Sequence, residues 1–255
     1  MKIQYASDLH LEFRENRYYL KNNPLLIDGD ILVLAGDIGY LGTGYYSVFP
    51  FWDWVSENYK QVIVVLGNHE FYNFYDLSGM EDGTCGEIRH NVHYYYNAVV
   101  HIENIDLIIS TLWSHINFKD SFITESRIND FRRIRYGKDL LNYDDFNKEH
   151  DRCLKFIKKA VAESIASYKI VITHYVPSSI LLPQEFKGSE LNGAFTVELS
   201  DYIENSNINY WIYGHSHRNI DAVIGKTKCV SNQLGYVLAN EHHSFVSDKK
   251  ITIEK

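Results

Sequence analysis

Five short apolar runs, each ending in a cluster of Asp, Asn or His residues, constrain this chain more than any other feature of its sequence. Residues 3–6, 31–35, 62–66, 170–173 and 210–213 are rich in Ile, Val, Leu and Tyr. They lead respectively into Asp8-Leu9-His10, Gly36-Asp37, Gly67-Asn68-His69-Glu70, His174 and Gly214-His215-Ser216-His217. A bounded run of this length and composition reads as a buried β-strand, and residues 107–111 read the same way. Helical spacing is clearest over residues 144–164, where Phe146, His150, Leu154, Ile157, Val161 and Ile165 share one face, Lys155, Lys158 and Lys159 lie elsewhere, and Asp144 or Asp145 is the expected N-cap. Residues 49–59 and 195–204 are two further helix candidates, each directly before a strand candidate. Alternating strands and helices imply an α/β core. Residues 228–237 and 250–253 read as strands without an intervening helix, so the expectation is a mixed arrangement: two sheets packed face to face under outer helices. Residues 76–89, rich in Gly, Asp and Glu, read as a mobile loop beside the site. With 255 residues, four prolines and no repeat or low-complexity linker, the chain reads as one domain over 1–255.

The carboxyl ends of neighbouring strands in an α/β sheet open into one crevice, so clusters spread over two hundred positions can meet there. Glycine directly before three of the clusters suits a sharp backbone exit. Imidazole, carboxylate and amide oxygen without thiolate suit first-row divalent ions such as Mn²⁺, Fe or Zn²⁺. The candidate ligands Asp8, His10, Asp37, Asn68, His174, His215 and His217 exceed the needs of one ion. A carboxylate can bridge, which makes Asp37 the natural shared ligand of two cations about 3.5 to 4 Å apart. Such a pair activates water near neutral pH and offsets the charge on phosphoryl oxygens. His69 is left over, free to protonate a leaving oxygen or to hydrogen-bond the phosphoryl group. Taken singly, Gly-Asp is usually a turn and His174 a core histidine; the joint pattern of five clusters at five strand ends carries the inference. His90, His93, His101, His115, His150, His242 and His243 read as surface or core residues.

At these residues the chain resembles the calcineurin-like metallophosphoesterase superfamily, whose blocks are D-x-H, G-D, G-N-H-(D/E), H and G-H-x-H. The resemblance implies a four-layer α/β/β/α sandwich and a dinuclear site. It assigns Asp8, His10, Asp37 and His217 to one metal and Asp37, Asn68, His174 and His215 to the other, with His69 near the leaving group. Stretches around residues 111–113, 129–134, 192–195 and 232–236 look like small bacterial members. Arg132 and Arg133 are candidates for holding substrate phosphate. The chain departs from the phosphoprotein phosphatases, which continue G-D as G-D-x-x-D-R-G, whereas here the segment is Gly36-Asp37-Ile38-Gly39-Tyr40-Leu41-Gly42. The Asp that orients the histidine and the Arg that binds phosphate are absent, which argues against a dedicated Ser/Thr phosphatase. Glu70, Asp76 and Asp130 are then the candidate partners of His69.

A formal charge of −8 disfavours long nucleic acid, whose binding needs clustered Lys and Arg, but not a small phosphorylated or nucleotide substrate. Tyr94, Tyr95 and Tyr96 can stack on a base, though strand tyrosines are the commoner case. Cys85, Cys153 and Cys229 are odd in number and widely spaced, which fits a reducing compartment and excludes a thiolate zinc site. Neither a signal peptide nor a membrane-spanning run is legible, so a soluble cytoplasmic protein is expected. The expected activity is phosphodiesterase or phosphomonoesterase; the alternatives are a non-catalytic interaction scaffold, which would be expected to lack ligands, and a nuclease.

Overall fold

A computed structural model of the chain describes residues 1–44 and 46–254. Among them the strands are β1 (Lys2–Ala6), β2 (Ile31–Ala35), β3 (Gln61–Val65), β4 (Thr84–Arg89), β5 (Val92–Tyr96), β6 (Ala98–Ile102), β7 (Ile105–Ser110), β8 (Arg135–Tyr136), β9 (Asp139–Leu140), β10 (Tyr168–Thr173), β11 (Tyr210–Tyr213), β12 (Ala222–Ile224), β13 (Thr227–Ser231) and β14 (Lys250–Thr252). The α-helices are α1 (Arg14–Asn22), α2 (Pro50–Asn58), α3 (Phe118–Arg127), α4 (Asp130–Arg133), α5 (Tyr143–Glu163) and α6 (Ser200–Glu204). One six-stranded sheet runs β14-β1-β2-β3-β5-β4 and the other β12-β13-β11-β10-β7-β6. In each sheet four inner strands are parallel and the two edge strands antiparallel.

The near-continuous apolar runs exist because both faces of these strands are covered. Ile3 and Tyr5 of β1, Ile31 and Val33 of β2 and Ile63 and Val65 of β3 pack between the sheets against Leu107 and Ile109 of β7, Ile170 and Ile172 of β10 and Ile212 of β11. The alternate residues point outward. Leu32, Leu34, Val62 and Val64 meet Leu20 of α1 and Trp52 and Val55 of α2, while Ile108, Val171 and Trp211 meet Ile157 and Val161 of α5 and Ile203 of α6. A side-chain period of two thus feeds two cores from one strand, and the result is the four-layer α/β/β/α sandwich with mixed sheets.

Several local expectations are corrected. Residues 76–89 are not a loop: Asp76 caps a 3₁₀ turn by accepting from the Ser78 amide, and β4 then pairs with β5 as an edge strand. The Gly86 that made this segment look irregular is covered by the Tyr94 ring, which occupies the space a side chain would need. Helix α6 begins at Ser200 instead of residue 195, because Thr196 bridges to Val176 and Phe195 is drawn onto His215. Helix α5 is capped by Asn142, whose side chain accepts from the Asp145 amide, and not by either aspartate; it ends at Glu163, leaving Ile165 fully exposed. Strand β13 stops at Ser231, after which Asn232 hydrogen-bonds the carbonyls of Tyr5 and Val246 and turns the chain toward the strand ends. Tyr94, Tyr95 and Tyr96 lie in β5, with Tyr96 buried and donating to Glu149. The three cysteines are free. Among the described residues no helix is long and apolar enough to cross a membrane.

Candidate metal centre

The parallel strands β1, β2, β3, β10 and β11 deliver all eight candidate residues to one place. The backbone there is strained: Asp8, His10, Asp37, His215 and His217 have φ of 54°, 47°, 56°, 75° and 51°. A non-glycine residue held in the left-handed region costs about 1–3 kcal/mol and persists where the surroundings impose it, characteristically at functional sites. The preceding glycines contribute in two ways. Gly36 itself has φ 91°, the sharp exit expected from the sequence. Gly67 and Gly214 instead make room: a Cβ on Gly67 would lie 2.3 Å from Asp37 Oδ1, and one on Gly214 2.7 Å from Asp8 Oδ2.

Asp37 stands between two groups of donors. Its Oδ1 lies 3.3 Å from His174 Nε2, and its Oδ2 lies 3.9 Å from both His10 Nε2 and His69 Nε2. On one side His10 Nε2 and His217 Nε2 are 3.0 Å apart, with Asp8 Oδ1 3.4 Å from the latter. On the other, His174 Nε2 is 3.0 Å from Asn68 Oδ1 and 3.1 Å from His215 Nδ1. The ligand-type atoms of Asp8, His10 and His217 lie within 4.8 Å of one another, as do those of Asp37, His174 and His215 and those of His10, Asp37 and His69.

The outward-facing atoms decide what the inward-facing ones can do. Each histidine places its second ring nitrogen against an acceptor: His10 Nδ1 on Glu12 Oε1 at 3.0 Å, His217 Nδ1 on Glu241 Oε2 at 2.6 Å, His174 Nδ1 on the Ala35 carbonyl at 3.0 Å and His215 Nε2 on the Ala194 carbonyl at 3.3 Å. Donation there turns the other nitrogen into the site, where it offers a lone pair once any proton on it is displaced, the orientation imposed on metal-bound imidazole. Asn68 likewise donates from Nδ2 to Asp130 Oδ1 at 2.8 Å, turning its Oδ1 inward. Lone pairs so crowded in a buried volume fit divalent ions as counter-charges, and two sets sharing Asp37 fit two of them.

The partner of His69 is none of the three acids expected. Its Nδ1 lies 2.8 Å from Glu12 Oε1, the same oxygen that meets His10. Burial works against a charged Glu12, but the two imidazoles hold its carboxyl down to about 2. Glu70 instead accepts from the backbone amides of Gly67, Asp37, Ile38 and Gly39, tying together the exits of β2 and β3. Asp130 accepts from Asn68, Tyr72 and Tyr175, and Asp76 caps its turn. Two more residues escaped the sequence reading. Tyr236 places its hydroxyl 3.3 Å from His69 Nε2, and Glu241 braces His217. A signal for Glu12 was present, since it lies two positions after His10 in D-L-H-L-E. Tyr236 closes the family-like stretch 232–236 but without an assigned role, and Glu241 had no signal. Of the arginine candidates, Arg132 donates to the Ser126 carbonyl, while Arg133 lies over the Tyr72 ring. A pocket of about 460 Å³ opens over Asp37, Asn68, His69, His215 and His217.

The carboxylates shape the competition between protons and metals. Burial disfavours a charged His174, but Asp37 outweighs it and raises the imidazole to about 9. Burial likewise opposes charge on His217, and Asp8 with Glu241 raises it to about 10. Both hold protons at neutral pH that a metal must expel, so affinity should climb as pH rises toward these values and level off above them. Calorimetry in buffers of differing ionisation enthalpy should register release of about two protons on filling the site near neutrality; uptake, or no exchange, would contradict the arrangement. Gly67→Ala should cut bound metal, measured by elemental analysis of the folded variant, because its methyl displaces the Asp37 oxygen. Full occupancy in that variant would show that the close approach is not needed.

Known proteins resemble the chain in sequence and in fold. The family model for calcineurin-like phosphoesterase matches residues 1–219. An uncharacterized protein, L509, of Acanthamoeba polyphaga mimivirus is 29% identical over 272 residues, covering 95% of this chain and 93% of that one. The crystal structure of the phosphopantetheinyl hydrolase PptH from Mycobacterium tuberculosis superposes with a TM-score of 0.72 at 15% identity, covering 99% of this chain and 96% of that one, a likeness of fold. The chain belongs to the calcineurin-like phosphoesterase family.

Proposed function

We propose that the chain, working as one domain over residues 1–255, is a dinuclear metal-dependent hydrolase of phosphate esters that acts on a small phosphorylated or nucleotide substrate. The observation that carries this reading is the Asp37 carboxylate shared by two donor groups beside His69, at the floor of a pocket. Asp8, His10, Asp37 and His217 would hold one ion and Asp37, Asn68, His174 and His215 the other; Mn²⁺, Fe and Zn²⁺ suit the donor set. When bound, two such ions supply a nucleophilic water near neutral pH and neutralise phosphoryl charge. Asn68 contributes no charge, which keeps the loaded site cationic toward an anionic ester. The unpaired cysteines accord with a cytoplasmic setting.

His69 is the proton donor in this reading. Glu12 fixes Nδ1, so Nε2 is the atom presented to the pocket, and the Tyr236 hydroxyl beside it is replaceable by an ester oxygen. Burial opposes protonation of His69, yet Asp37 and Glu12 raise its pKa above the ordinary value, favouring the form that can give a proton. Stacking on Tyr72, with ring centroids 4.2 Å apart, holds the imidazole plane.

Metal-stripped protein should regain turnover of p-nitrophenyl phosphate or bis-p-nitrophenyl phosphate when Mn²⁺, Zn²⁺, Ni²⁺, Fe²⁺ or Mg²⁺ is added singly. The preferred ester would decide between monoesterase and diesterase, and silence with every metal would sink the proposal. Asp37→Ala should lose both ions and all measurable hydrolysis; near-wild-type activity would falsify the shared role. His69→Ala should keep its metals but slow alkyl esters roughly 100-fold or more, and nitrophenyl esters, whose leaving oxygen needs no proton, far less. Equal losses on both would remove the general-acid assignment.

A further inference from the structure

The pocket above the site is larger than a phosphoryl group requires. At about 460 Å³ it falls in the range that encloses a whole organic ligand, and its walls differ. One is built by Leu182, Phe186, Leu191 and Phe195, apolar residues of the segment between β10 and α6. The C-terminal end of α3 contributes Arg127, the only Lys or Arg that lines the pocket among the described residues.

Arg127 has no carboxylate partner among the described residues. Arg89 pairs with Asp53, Arg152 with Asp82 and Glu149, and Arg218 with Glu185 and Glu241; of the arginines left without such a pair, Arg127 is the one that lines the pocket among the described residues. Arg133, six residues on, also lacks one. Its Nη1 donates to the Tyr40 hydroxyl at 3.3 Å, and its guanidinium lies 5.5 Å from the centroid of Tyr72, a pocket wall. Between the two arginines, Asp130 and Asn129 line the same pocket, and Asp130 is fully engaged with Asn68, Tyr72 and Tyr175. Asp130 thus serves to position a candidate ligand and forms no ion pair with either guanidinium. Arg132 differs from both, being turned to the Ser126 carbonyl.

We propose that Arg127, seconded by Arg133, forms an anion subsite at the pocket margin, so that the substrate carries a second anionic group, phosphate or carboxylate, on its organic part. This rests on the phosphoesterase reading for the first phosphoryl group. The scissile phosphate takes the floor, the carbon skeleton lies along the apolar wall, and the guanidinium meets the second anion through paired N–H groups. A cation at the margin also favours entry of anions into a chain that is negative overall.

The test measures inhibition constants against p-nitrophenyl phosphate turnover for matched ligands: the monophosphates and the α,ω-bisphosphates of butane-, hexane- and octanediol, and 6-phosphonooxyhexanoate. In the wild-type holoenzyme at least one bisphosphate or the carboxylate should bind roughly tenfold or more tighter than its monophosphate. A preference for bisphosphate over phosphonooxyhexanoate identifies phosphate as the second group, and the reverse identifies carboxylate. In Arg127→Ala the ratio should fall below about twofold, with Arg133→Ala intermediate and Arg132→Ala like wild type. Because the readout is a ratio, a general change in activity does not enter it. A wild-type ratio near one at every length, or a ratio retained in Arg127→Ala, overturns the subsite. If the metal-loaded protein turns over no ester, the phosphoesterase reading fails by itself; the same ratios, measured by calorimetry on that protein, then decide the subsite.

Discussion

The buried carboxylate of Asp37 is the interaction around which the rest of the molecule is arranged. A charge in an interior is tolerable only when surrounded by donors or opposite charge, and each neighbour of Asp37 answers that need. The His69 amide donates to its Oδ1, and His174 and His10 lie against its two oxygens from opposite sides. The strand that delivers it is clamped by Glu70 through four backbone amides. This explains why the fourth residue of Gly67-Asn68-His69-Glu70 is an acid although it touches no other candidate ligand. Glu70 holds the exits of β2 and β3 in register so that Asp37 and Asn68 arrive together.

Two sheets are needed for this placement. β1, β2 and β3 bring Asp8, His10, Asp37, Asn68 and His69 from one sheet, while β10 and β11 bring His174, His215 and His217 from the other. The core between the sheets, built from the inward-facing residues of both, sets their separation and hence the spacing of the donors. Strain accumulates at the candidate ligands where the chain leaves β1, β2 and β11, five of them non-glycine residues with positive φ. The His215 amide donates to the Asp8 carboxylate and the His217 amide to the Gln233 side-chain oxygen, and these bonds hold those conformations in place.

Much of this was legible in the sequence, for a physical reason. Strands buried on both faces write themselves as unbroken apolar runs, and ligands at their carboxyl ends follow immediately, so all eight residues could be named before the fold was known. The residues that orient them were harder to see. Glu12 meets His10 two positions away, a contact with a local signal, but it also reaches His69, 57 positions away, and Glu241 reaches His217 from a turn after β13; it is these two long-range contacts that were hidden. Such pairings depend on tertiary approach and leave no local pattern. The misread elements failed for related reasons: β4 hides behind a glycine that makes room for Tyr94, and the start of α6 yields to the pull of Phe195 onto His215. Helix α4 is a single turn, too short for periodicity, although its Asp130 aims Asn68.

The central claim is that two ions share Asp37. A crystal soaked in Mn²⁺ and measured at a wavelength giving anomalous signal tests it most directly. The account predicts two peaks about 3.5 to 4 Å apart, one among Asp8, His10 and His217, the other among Asn68, His174 and His215, with the Asp37 carboxylate between them. A single peak, or two peaks of which only one touches Asp37, would contradict it.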